Sequence, residues 1–298
     1  MSIKNSKRNA IIVSITVIGL LAAGGGAYVY KHHGRAHSGS SAKPLSVVPA
    51  PAGLIGGTSL NLGGDILTLV NLNGRANLQL IKTSGQGTTT IVPVSSAATS
   101  VAANVNNVVA LGLNTGTGGA VQFFSTEGFK SLSTVSVSGP VLALANTGGA
   151  DFYALVQVGQ VMSVAIIDSQ SHRIIASIPM PSRTNSVAVS PDNTSVYALQ
   201  GSGVVSVISI STSKVFQTFA VTPGARQLAF SPDGSRLYVL KGAGGVNNIA
   251  VVNLATQSTV QVLPAPAYCQ AIVVGNNGNL YDLVGSPQFG NIQVYAAP

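Results

Sequence analysis

Charge is what this sequence has least of. Only 7% of the 298 residues are charged, and of the seven acids none precedes Asp65. Tryptophan is absent and aromatic residues make up 5%. Cys269 is the one cysteine, so no internal disulfide can form. It stands in an apolar stretch, PAYCQAIVV, where a buried structural thiol is expected, because a nucleophile needs a base beside it. Of the four histidines, His32, His33 and His37 lie in an N-terminal segment, which leaves His172 for the remainder. So few titratable groups leave no base–nucleophile pair and no cluster of metal ligands to place, and neither a catalytic residue nor a metal or other cofactor is expected.

The net charge of +8 looks like an affinity for nucleic acid until it is located. Lys4, Lys7, Arg8, Lys31, Arg35 and Lys43 precede residue 44 with no acid among them; the rest of the chain has a formal balance of only +2. No dense basic patch is left to follow a phosphate backbone, so no nucleic-acid partner is expected.

What is abundant is Gly, Ser, Thr, Val and Ala, a composition suited to short strands and turns. Before them comes one uncharged run. Residues 1–9 carry three positive charges, and 10–30 (AIIVSITVIGLLAAGGGAYVY) carry none, a length that a helix needs to cross a bilayer. Two readings stand. In one, 10–30 is an uncleaved transmembrane signal-anchor, residues 1–9 are its cytoplasmic tail, and Tyr28 and Tyr30 mark the far interface. In the other, the segment is a signal peptide cleaved after the small residues Gly25 and Ala27. Both export the rest of the chain: a flexible linker over 31–43, then a domain over 44–298 on the extracytoplasmic side, held at the cell membrane or secreted.

The domain is a repeat. Its clearest element recurs as ILTL at Ile66, VVAL at Val108, FYAL at Phe152, VYAL at Val196, LYVL at Leu237 and LYDL at Leu280. Six units at near-equal spacing, each with room for four short strands, predict an all-β, six-bladed β-propeller. The last unit stops after its third strand, NIQVYAAP, while LSVVPAPAG at the start of the domain matches VQVLPAPAY at the end of the fifth unit. An N-terminal strand is therefore expected to complete the last blade and close the ring, removing two open sheet edges.

SPDNTSVYAL and SPDGSRLYVL, each followed by a strand of alternating valines and isoleucines or leucines, resemble the YVTN-type (YncE-like) bacterial propeller repeat over Ser186 to Ala267. The other four units match less well, and the Gly-His and Trp-Asp pairs of WD40 repeats are missing. The resemblance implies a propeller in an extracytoplasmic setting. The family includes binding proteins, surface proteins and lactonase-like enzymes, so it leaves function open.

Six of the acids fall in or beside turns on one face, and Asp282 within a strand. The opposite face is the usual ligand mouth of a propeller. Its loops are small and neutral except for Arg183, Asn185, Arg226, Tyr268 and Gln270, which are the candidate binding residues. Two arginines on adjacent blades suit a carboxylate or an acidic partner, and Tyr268 a flat anchor. His172, in IDSQSHRII, is expected to be an exposed turn residue. Together these features point to a membrane-anchored binding or scaffold module with a protein or cell-envelope partner. The alternatives are a lactonase-like hydrolase and a structural surface-layer component.

Overall fold

Strands that are apolar on both faces must be covered on both faces, and here each sheet is covered by its neighbours in a ring. The computed structural model describes residues 43–296 apart from 61–64, 83–87, 105, 147–148, 244–245 and 287. The expected cytoplasmic tail, membrane segment and all but the last residue of the linker lie outside the described residues. Among the described residues no helix is long and apolar enough to cross a membrane.

Six four-stranded antiparallel sheets form six blades. Blades 1 to 5 span 54–93, 98–137, 141–180, 184–220 and 225–265, each a simple meander running from the axis outward. Blade 6 takes its three inner strands from Cys269–Val274, Asn279–Ser286 and Phe289–Ala296, and its outer strand is Ser46–Ala50, the first strand of the chain. Ser46 pairs with Val294 and Ala50 with Gly290. The ring is thus closed by hydrogen bonds between the two ends of the domain, as the PAPA match predicts.

The core is divided among the gaps between blades. Each of six apolar clusters joins one blade to the next, including the one in which Val48 and Ala271 of blade 6 meet Leu54 of blade 1. The second strand supplies the most deeply buried positions: Leu67, Leu69, Leu111, Phe152, Leu155, Leu199, Leu240 and Leu283 are fully enclosed. The third residue of each four-residue motif is narrow (Ala110, Ala154, Ala198) or modest (Thr68, Val239), as close sheet stacking requires. Blade 6 carries Asp282 there.

The meander gives the ring two unlike ends. Inner strands begin at the upper end, where the outer strand of the preceding blade has just finished. The loops meeting there are bonded together: Asn71 N donates to Gly53 O (2.8 Å), Val221 N to Gly203 O (2.7 Å), and Gly285 N to Tyr268 O (3.0 Å). The lower end carries the Ser-Pro-Asp turns. In these, Ser190 Oγ donates to Asp192 Oδ1 (2.5 Å) and Ser231 Oγ to Asp233 Oδ1 (2.6 Å), while the hydroxyls accept from the amides of Ser195 and Arg236. Each Asp also caps the amide two residues on, so the turn is locked by its own side chains.

Candidate functional site

One local irregularity repeats six times and creates the site. In every blade the pairing between inner and second strand slips by one residue near the upper end. The extra, unpaired residues are Ile55, Thr99, Leu142, Asn185, Arg226 and Gln270, one per blade. A β-bulge re-aims the side chain it carries, and all six line the axial channel, a cavity of about 460 Å³. Three of the five predicted mouth residues belong to this ring. Asn185, Arg226 and Gln270 stand within inner strands rather than in the loops where the sequence pattern places them. Sequence reasoning misses the bulge because an inserted residue leaves no mark in hydrophobic spacing.

Three of the four polar members of the ring tie neighbouring blades together. Thr99 Oγ1 donates to Val141 O in blade 3 (2.7 Å), and Asn185 Nδ2 reaches Ala225 O in blade 5 (3.5 Å). Arg226 Nη2 donates to Cys269 O in blade 6 and to Asn247 Oδ1 (3.4 Å). Gln270 Nε2 bonds Gly285 O of its own blade (2.8 Å). One residue deeper, Gln227 bridges blades 5 and 6 through both ends of its amide, to Ile272 O and Ile272 N. Arg226 is the one charged side chain among the described residues of the lining, which is otherwise hydroxyls, amides, aliphatic groups and the ring of Phe230.

The other two predicted residues, Arg183 and Tyr268, sit just outside the channel on its lip. Two positions before the bulge, the backbone turns left-handed in four blades: Gly53 (φ 77°), Arg183 (φ 62°), Gly224 (φ 82°) and Tyr268 (φ 65°). Glycine takes this conformation freely, whereas other residues lose about 1–2 kcal/mol there. Arg183 and Tyr268 are therefore side chains held at a cost where blades 1 and 5 use glycine. Asn73, Asn107, Phe129, His172, Asn193, Ser213 and Gln257 share this backbone in other turns, so it fixes how the two side chains are held rather than marking a ligand contact.

Tyr268 is presented rigidly. Pro266 O accepts from Cys269 N (3.2 Å) and Asn247 Nδ2 (2.9 Å), Tyr268 O accepts from Gly285 N, and Cys269 O from Arg226. Its ring, 55% exposed, meets the half-exposed Phe289 edge-on with centroids 5.7 Å apart. Phe289 opens the third strand of blade 6, and its place beside Tyr268 follows from the fold alone.

Below this lip, in the gap between blades 5 and 6, Asp282 is completely buried and neither carboxylate oxygen has a hydrogen-bond partner. Burial pushes its carboxyl up to about 7. Burial, and then the neighbouring Asp282, also raise the Cys269 thiol far above its usual range. Cys269 is buried, in line with a structural thiol. His172 departs from expectation: it is half-buried against Phe123 of blade 2, ring centroids 5.0 Å apart, with Nε2 enclosed and unpartnered. The preceding blade covers a turn that sequence alone leaves in solvent. No group of three or more metal-ligating side chains occurs among the described residues.

The fold is similar to that of a chain in a crystal structure of the mitotic checkpoint complex, with 14% identity and a TM-score of 0.66 over 91% of this chain and 99% of that one. It is also similar to a chain of Kuenenia stuttgartiensis hydrazine synthase, with 15% identity and a TM-score of 0.56 over 84% of this chain and 80% of that one. At these identities the likeness is one of fold. No family model matches the chain, and no curated protein matches it by sequence.

Proposed function

We propose that this chain is a membrane-anchored, extracytoplasmic propeller of the YVTN type that binds a protein or cell-envelope partner at its upper mouth without transforming it. The observation that carries this reading is the six-fold bulge, which delivers one side chain from every blade to the channel rim beside the strained, rigid Tyr268. Sites built on a stiff sheet scaffold are pre-organised for binding, so less ordering entropy is lost on association. The anchor over 10–30, with its tail over 1–9 and linker over 31–43, belongs to the same proposal; its support is the uncharged apolar run. A chain of similar fold in the mitotic checkpoint complex is consistent with a scaffold role.

The test is a photo-crosslinking amino acid placed at Asn185 or Gln270, compared with one at Ser211 at the lower end, in the full chain within its own membranes. Specific adducts from the mouth positions alone support the reading. Adducts from Ser211 alone would move the site to the other face, and recovery of the domain in the cytoplasmic fraction would remove the export step.

A further inference from the structure

The charges of the domain are sorted between its two ends. Asp65, Asp151, Asp192 and Asp233 lie in or beside the turns between inner and second strands, and Glu127 and Asp168 where the third strand gives way to the outer one. Both kinds of connection are at the lower end. Asp282, the seventh acid, is enclosed. Among the described residues the upper end therefore has no carboxylate at its surface.

It does have cations. Arg75 follows the turn between second and third strands of blade 1, Arg183 stands on the lip of blade 4, Arg226 in the ring of blade 5, and Lys241 opposite Ala225 near the top of that blade. The remaining described cations, among them Lys82, Lys130 and Lys214, share the lower end with the acids. The balance of positive charge on the described domain is thus carried by one face. That face also holds the exposed apolar groups Val158, Val161, Tyr268 and Phe289.

We infer that the upper mouth docks an acidic polypeptide segment, with Tyr268 and Phe289 as its apolar anchor and Arg183, Arg75 and Lys241 steering and pairing its carboxylates. This rests on the reading of the mouth as the binding face and adds the chemistry of the partner. An uncompensated positive face attracts negative partners and repels positive ones. Aromatic and Arg side chains dominate the energetics of protein interfaces. The cations are spread around the rim on three blades rather than gathered at one point, which suits an extended chain better than one small anion. A lipid surface is the weaker fit, because residues 43–46 enter the ring at its lower end, opposite the mouth.

The experiment uses the full chain in a non-ionic detergent and three probes: a short fluorescent peptide of Glu and Ala with one Phe, its Lys counterpart, and phosphatidylglycerol vesicles. The expected result is binding of the Glu peptide alone, weakening as salt is added. Arg183→Glu with Lys241→Glu should reduce affinity by about tenfold or more. Lys130→Glu, a reversal at the lower end, should leave it unchanged. Tyr268→Gly removes the anchor while keeping a residue that favours left-handed backbone, so it should fold normally and bind less. Equal binding of the Lys peptide, equal sensitivity to Lys130→Glu, or capture of vesicles but not peptide would each overturn the inference. If the Glu peptide fails while Asn185 and Gln270 still crosslink a partner, the acidic chemistry falls and the mouth stands. If neither occurs, both fall.

Discussion

Arg226 of blade 5 donates through Nη2 to the main-chain carbonyl of Cys269 in blade 6, the residue immediately before that blade's bulge. Thr99 and Asn185 make the same reach, to Val141 and Ala225, each also the residue before a bulge. In these three blades the bulged residue is thus a spoke as well as a lining. Arg226→Ala is expected to cost about 1.5–3 kcal/mol, the range for a hydrogen bond from a charged donor. Urea denaturation of the variant measures it, and a loss near zero would show that the spoke carries no load.

Asp282 makes stability pH-dependent. Its folded value, about 7, lies above the ordinary 3.8, so the folded state binds the proton more tightly. Stability is then greatest below about pH 4 as far as this group is concerned, and falls as pH rises through 7, by roughly 4 kcal/mol in all. Cys269 and Tyr295 of its own blade are the titratable groups coupled to it, and both stay neutral through this window. Asp282→Asn should flatten the profile between pH 4 and 7. Asp282→Ala, the residue of three other blades, should be more stable than the parent at pH 8. Parallel profiles for parent and Asn variant would refute the assignment.

The Ser-Pro-Asp turns act in the opposite sense. The Ser231 hydroxyl, then Ser235, hold the Asp233 carboxyl down at about 2. That contribution is present above pH 4 and is lost as pH falls through 2. The group is open to solvent, which limits its worth; Asp233→Ala should cost about 1 kcal/mol at pH 7 in thermal unfolding. Ser231→Ala should approach the same loss, since one hydroxyl serves both Asp233 and the Arg236 amide.

Arg183 sits where glycine is favoured. Arg183→Gly should raise stability, or leave it level, by relieving up to about 1 kcal/mol of left-handed strain, while weakening binding at the mouth. A variant that is both less stable and fully competent in binding would separate the strain from function.

Ring closure depends on Ser46–Ala50. Removing residues 1–50 bares the edge of the strand Phe289–Ala296 and uncovers Val48's part of the gap between blades 6 and 1. The expected outcome is loss of a single cooperative unfolding transition and self-association through the open edge. Calorimetry and size-exclusion chromatography check it.

The order of the blades, their number and the partner of the last one were legible in the sequence, because each depends on a period and on one repeated phrase. ILTL through LYDL mark strands that only neighbouring sheets can cover, and LSVVPAPAG names the strand that completes the ring. The tertiary structure alone decided what depends on register and stacking. A slip of one residue in each blade turned Asn185, Arg226 and Gln270 from loop residues into channel-lining strand residues, the first two of them spokes to the next blade. Left-handed backbone on the lip fixed how Arg183 and Tyr268 are held there. Stacking of blade 6 on blade 5 enclosed Asp282, whose place in LYDL reads like any other strand position, and stacking of blade 3 on blade 2 covered His172. Spacing along the chain reports which strands form; only the packed ring determines which side chains lose water, and that loss is what moves a pKa or leaves a donor without a partner.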